Sequence, residues 1–184
     1  PVGEDQMPHL EQTNELVRKF NSSYGETFKE VQGLVGRVKR LIGTDGNAKM
    51  TKSLNNAIFL SDTEAEVKRK VMSMYTDPKR LHATDPGTVE GNPVFIYHDA
   101  FNPNKQEVDD LKECYRAGKV GDVEVKQKLF VALNTFLTPI REKRYYYEQH
   151  MPQVVDILHA GNKVVQQEAK ETLEKVLSVL KLKK

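Results

Sequence analysis

Apolar residues recur at three- and four-residue steps along most of this chain, a period that predicts helices. In the first such run Leu10, Leu16, Val17 and Phe20 form a stripe, predicting a helix from residue 5 to about residue 21. Asp5 is placed to cap it, and Pro8 is tolerable in its first turn. The order changes at "GLVGRVKRLIG". There Leu34, Val35, Val38, Leu41 and Ile42 follow in extended spacing and predict a short strand near residues 37–42. Gly43 and Gly46 then release the chain into the turn "GTDGN".

From Ser61 onward the pattern is helical. "SDTE" reads as a capping box, Ser61 with Glu64, opening a helix to about residue 75. "TDP", "TDPG" and "EGNP" punctuate an irregular stretch, after which Asn92 and Pro93 predict the cap and first position of the helix "PVFIYHDAF". Asn104 with Glu107 caps the next helix, which is expected to stop at Gly118. Asp122 opens a long helix with Leu129, Leu133, Phe136, Leu137 and Ile140 on one face and an expected kink at Pro139. A short helix between Pro152 and Gly161 is expected next. A last helix follows, whose stripe of Val165, Ala169, Leu173, Val176 and Leu180 should face a bundle core. The expected fold is therefore mainly α. Residues 61–184 form a helical bundle, and residues 1–60 form a helix, a short strand and a loop that look like a remnant of an α/β layer. A lone strand makes no sheet, which leads to the expectation of a missing N-terminal half.

Composition narrows the picture in a few places. The 184 residues suit one domain, or a domain plus part of another. No apolar run approaches the roughly 18 residues of a membrane span, so no membrane partner is expected. No leader is visible, and the expected location is the cytoplasm. The single Cys114 excludes an internal disulfide framework. His9, His82, His98, His150 and His159 show no metal-ligand spacing, and no protein metal site is expected. With a net charge of only +2, any nucleic-acid contact must come from local patches.

The chemistry concentrates in "AKMTKSLNN", residues 48–56. Lys49 and Lys52 are hydrated point charges on long stems, suited to following a phosphate group. Thr51 and Ser53 add hydroxyl donors, and a glycine-preceded loop can present backbone N–H groups to an anion. Positioned positive charge is most of what phosphoryl or nucleotidyl transfer requires. Taken alone, the segment reads first as a solvated basic loop opening a helix.

Its context points further. "KMTKS" resembles the Lys-Met-Ser-Lys-Ser signature of class I aminoacyl-tRNA synthetases, with Thr51 keeping the hydroxyl. "VGEDQ", residues 2–6, is similar to the Gly-x-Asp-Gln segment of the tryptophanyl and tyrosyl branches. "PGTVEGNPVF" and "FLTPIREKRYYYE" resemble stretches of the tryptophanyl branch, and the four blocks stand in the expected order across residues 2 to about 148. The chain thus resembles the C-terminal half of a bacterial-type tryptophanyl-tRNA synthetase, with residues 1–60 as the end of the Rossmann-like catalytic domain.

That resemblance implies ATP and Mg²⁺ as cofactors, tryptophan and its tRNA as partners, and a homodimer in the full-length enzyme. It implies that Gly3, Glu4, Asp5, Leu41, Met50, Thr51 and Ser53 approach ATP. Lys49 and Lys52 would act catalytically on the α-phosphate and departing pyrophosphate, and Val2 and Gln6 would lie near the tryptophan. The helical region would meet the anticodon, with Arg141, Arg144 and Tyr145 as candidate contacts. The other class signature, a His-x-Gly-His-like segment, does not occur, so the chain alone is expected to be inactive. Two other readings remain open here: a tyrosyl-tRNA synthetase fragment, and a non-catalytic helical RNA-binding module.

Overall fold

The structure is a computed structural model describing residues 1–36, 38, 41–47 and 50–182. Among these, the regular elements are a 3₁₀ turn at Glu4–Gln6 and six helices. The helices are α1 (Met7–Tyr24), α2 (Glu64–Met72), α3 (Pro93–Phe101), α4 (Lys105–Arg116), α5 (Asp122–Gln149) and α6 (Met151–Val179). Two compact units emerge, Pro1–Arg40 with Tyr147–Lys184, and Leu41–Tyr146. The boundary expected near residue 60 falls inside the second.

In the first unit the chain leaves α1 at Gly25, whose φ of +95° lies in the region open to glycine, and returns in extended form along the helix. Two asparagines one heptad apart hold that return. The Asn21 side chain donates to the Phe28 carbonyl (2.8 Å) and accepts from the Thr27 and Phe28 N–H groups. Asn14 pairs with Val31 in both directions, at 2.9 and 2.8 Å. Backbone groups that would have joined a sheet are thereby satisfied by side chains. The strand expected near residues 37–42 does not form at Val38, Leu41 or Ile42; Arg37, Lys39 and Arg40 lie outside the described residues. What does form is an isolated parallel bridge between Val2 and Val35, with Val2 N–H donating to the Leu34 carbonyl at 3.0 Å. A strand needs a neighbour along its length, and here the pairing stops after one residue.

The second unit holds the core. α3 is buried on nearly every side through Val94, Phe95, Tyr97, His98 and Ala100, the behaviour of a helix apolar all round. Val67 and Val71 of α2, Leu111 and Tyr115 of α4, and Val125, Leu129, Leu133 and Leu137 of α5 close over it. Tyr115 meets the Phe95 ring edge-on at 5.0 Å, lies 4.1 Å from the Arg80 guanidinium carbon, and donates to Asp122 at 2.8 Å. Lys126 of α5 donates to the Met74 carbonyl (2.6 Å) and the Thr76 hydroxyl (2.8 Å), bracing the segment that follows α2.

The capping expectations divide. Asn92 accepts from Val94 N–H at 3.0 Å and Asn104 from Glu107 N–H at 3.1 Å, as the sequence suggests. Gly118, at φ +66°, follows α4 as expected. The box opening α2 is not Ser61 with Glu64 but Thr63 with Glu66, two residues later. Asp62 is the reason: its carboxylate is committed to Phe59 N–H (2.8 Å) and Lys70 Nζ (2.6 Å), so helical geometry begins beyond it. Asp5 does not cap α1 either, since its carboxylate accepts from its neighbour Gln6 at 3.0 Å. α5 runs through Pro139 as one helix. The short helix expected to end at Gly161 is instead part of the single helix α6, where a glycine is a modest cost. α6 buries none of its residues: Val165 is 66% and Leu173 57% exposed, so the stripe expected to face a core does not.

His98 carries a consequence for stability. It is fully buried, its Nε2–H donates to the Val125 carbonyl at 3.0 Å, and Nδ1 faces the Asn102 amide at 3.3 Å. Burial holds its pKa below the ordinary 6.5, outweighing the bond to the Val125 carbonyl and the charges of Glu107 and Asp99, which pull the other way. As pH falls through about 6.5 the unfolded chain takes up a proton here that the folded chain refuses, so stability drops. Urea melts at pH 7.5 and 5.5 should show this loss, at most about 1.4 kcal/mol per pH unit, and His98→Gln should flatten it. An unchanged slope in that variant would place the acid sensitivity elsewhere.

Candidate functional site

The lysine loop grows from the core of the second unit. Tyr97 Oη donates to the Ile42 carbonyl at 3.0 Å, and the side chains of Leu41, Met50 and Ile58 are half-buried against the core cluster. Thr44 exchanges two backbone bonds, donating to the Asn56 carbonyl and accepting from Tyr75 N–H, both at 2.9 Å. The chain thus enters and leaves the loop side by side, tied to the end of α2.

Three short polar side chains organise what lies between. Asp45 accepts from the Asn47 N–H (3.0 Å), the Asn47 amide (2.5 Å) and the Asn56 amide (3.1 Å). The Asn47 backbone bond above all, with the two amides, keeps the Asp45 carboxyl below the usual carboxylate range. Asn56 is 2% exposed and turns its oxygen to the Thr51 N–H at 2.9 Å. A Cβ at Gly43 would collide with both the Asp45 carboxylate and the Asn56 amide, so glycine is needed there. Beyond Thr51 the chain makes a turn. The Thr51 hydroxyl accepts from Leu54 N–H (3.3 Å) and sits 3.2 Å from the Ser53 hydroxyl, and Asn55 takes a φ of +49°. Lys52 stands exposed on this turn, with no ion pair among the described residues. Lys49 lies outside the described residues.

The other candidates fall in three places. Val2, Gly3, Glu4, Asp5 and Gln6 lie together at the start of the first unit, with Gln6 N–H donating to the Gly3 carbonyl at 3.0 Å and Asp5 folded over Gly3. Leu41, Met50, Thr51, Lys52 and Ser53 belong to the second unit. Arg141, Arg144 and Tyr145 share one face of α5, three and four residues apart. Tyr145 is 68% exposed. The Arg141 guanidinium is half-buried and engaged by the Asp62 carbonyl (3.1 Å), the Asn134 side chain and the Thr138 hydroxyl (3.1 Å), which anchor it to the helical unit. No three His, Cys, Asp or Glu side chains gather around a possible metal position among the described residues. No helix among them is long and apolar enough to cross a membrane.

The profile of the family described as tRNA synthetases class I (W and Y) matches residues 1–138. The chain belongs to the class I tRNA synthetases of this branch. It is 53% identical over 182 residues to the tryptophan–tRNA ligase of Treponema pallidum (strain Nichols), covering 99% of this chain and 54% of that protein. With the tryptophan–tRNA ligase of Chlamydia caviae the identity is 50% over 182 residues, covering 99% and 53% respectively. The crystal structure of tryptophanyl-tRNA synthetase from Campylobacter jejuni complexed with ADP and tryptophan matches with a TM-score of 0.73 at 27% identity. That match covers 98% of this chain and 56% of the other. The chain spans about half the length of the curated relatives it matches. The helical architecture found here matches the corresponding part of the Campylobacter jejuni structure.

Family membership sets the loop in relief. Its lysines and hydroxyls are legible in the sequence, whereas Asp45, Asn47 and Asn56 look there like ordinary turn residues. The pairing of polar side chains on both flanks of a basic segment was the available signal.

Proposed function

We propose that this chain supplies the loop-bearing and tRNA-facing part of a cytoplasmic tryptophan–tRNA ligase that works as a homodimer. In the first step a tryptophan carboxylate oxygen attacks the α-phosphorus of ATP, the bond to the β-phosphate oxygen breaks, and pyrophosphate leaves. In the second, a ribose hydroxyl of the tRNA takes the tryptophanyl group and AMP leaves. Lys49 and Lys52 neutralise charge gathering on the α-phosphate and the departing pyrophosphate. Mg²⁺ enters with the nucleotide, as part of the substrate. Gly3, Glu4, Asp5, Leu41, Met50, Thr51 and Ser53 hold ATP, with Val2 and Gln6 beside the tryptophan. Arg144 and Tyr145 offer a cation and a stacking surface to RNA, with Arg141 fixing that face.

One observation carries the reading: "KMTKS" presents Lys52 on an exposed turn, its ammonium unpaired among the described residues, in a chain about half identical to tryptophan–tRNA ligases. The test is tryptophan-dependent exchange of labelled pyrophosphate into ATP. The chain alone should stay near background, because it carries no His-x-Gly-His-like segment. Exchange should appear when the complementary half of the Treponema pallidum ligase is supplied, with tryptophan and not with tyrosine. Near-full exchange by the chain alone would refute its inactivity, and exchange driven by tyrosine would refute the substrate.

A further inference from the structure

We infer that Asp45 and Asn56 are positioning residues for the signature loop, which deepens the proposed function and rests on it. Of the loop residues that reading needs, Met50 packs half-buried against the core, whereas Lys52 and Ser53 are exposed and add little to hold the turn. What fixes their backbone is a relay of side-chain bonds. Asn56 is buried at the foot of the loop and grips Thr51 N–H with its oxygen while its amide donates to Asp45 Oδ1. Asp45 in turn holds Asn47 by backbone and side chain, so the two flanks of the lysine segment close on one carboxylate–amide pair. Thr51 is one residue before Lys52, and its hydroxyl seeds the turn that carries that lysine.

The arrangement is directional. The amide at position 56 offers an acceptor to Thr51 and a donor to Asp45 simultaneously, and the carboxylate at position 45 receives both Asn47 and Asn56. A fixed foot, with Asn56 buried and Asp45 at the surface, lets the ammonium on the exposed turn meet a phosphate without first ordering its own backbone, an entropy already spent on folding. Neither residue touches the reacting atoms in this account; both act through Thr51 and Lys52.

Asn56→Ala removes the Thr51 acceptor, so exchange of the Thr51 amide proton should quicken about tenfold in the chain itself. Trypsin should cut after Lys52 several-fold faster. Asn56→Asp keeps an acceptor for Thr51 but sets two carboxylates against each other and should loosen the loop to a lesser degree, while Asp45→Asn with Asn56→Asp restores a donor facing an acceptor at the cost of the Asn47 N–H bond and should recover part of the protection. In the complete ligase Asn56→Asp should lower kcat for pyrophosphate exchange and leave KM for tryptophan unchanged, and the swapped pair should regain rate. Unchanged protection of Thr51 in both single variants, or a swap that rescues nothing, overturns the inference. Should the wild-type ligase show no exchange, the proposed function fails, while Thr51 protection still decides the relay.

Discussion

Asp62→Ala should cost the helical unit about 3–5 kcal/mol, the loss expected when one partner of a buried ion pair is removed. The Lys70 ammonium lies 2.6 Å from Asp62 Oδ2, and both side chains are only 7% exposed. The Phe59 ring also faces it, 4.4 Å from Nζ to centroid, a surface that favours a cation but cannot neutralise one. The same carboxylate oxygen takes Phe59 N–H at 2.8 Å, and the Asp62 carbonyl takes Arg141 at 3.1 Å. Alanine therefore strands a charge and an N–H together. Asp62→Asn with Lys70→Met keeps an acceptor for Phe59 and buries no charge, so the double variant should be markedly more stable than Asp62→Ala. Urea unfolding followed by circular dichroism separates them. A loss below about 1 kcal/mol for Asp62→Ala would mean that the pair behaves as a solvated surface bridge.

This same pair explains where sequence reading slipped. Helical periodicity shows α1 and α5, because a stripe at three- and four-residue steps is a local property. Asn92 and Asn104 were visible as caps because the groups they bind lie within three residues. The start of α2 was not, because Asp62 answers to Lys70, eight residues on, and to Arg141, 79 residues on, and those partners displaced the cap to Thr63. The stripe of α6 was equally plain, yet periodicity tells which residues share a face and not whether anything covers it; Val165 and Leu173 remain exposed. The extended order around Val35 and Leu41 was read as a strand because spacing records what a backbone can do. Whether it pairs depends on a neighbour, and among the described residues only Val2 supplies one. At the loop, charge was legible in Lys49 and Lys52, whereas its support spans eleven residues between Asp45 and Asn56 and exists only once the loop has closed.

Lys52→Ala should reduce the rate of tryptophan-dependent pyrophosphate exchange in the complete ligase by about 10²–10³-fold, the scale on which one preorganised charge-stabilising donor acts. Thr51 N–H and the turn at 52–55 are held by Asn56, Thr51 and backbone groups rather than by the ammonium, so the alanine variant keeps its fold. The loss must then be electrostatic. Lys52→Arg restores charge but spreads it over a planar fork that does not superimpose on a point ammonium, and should recover only part of the rate. The split between constants identifies the step: a fall in kcat with KM for ATP nearly unchanged means the charge is felt chiefly as pyrophosphate departs. A rise in KM alone would make Lys52 a binding residue for the ground-state phosphates. An unchanged rate in Lys52→Ala would remove this lysine from catalysis and leave the exposed turn as a solvated loop.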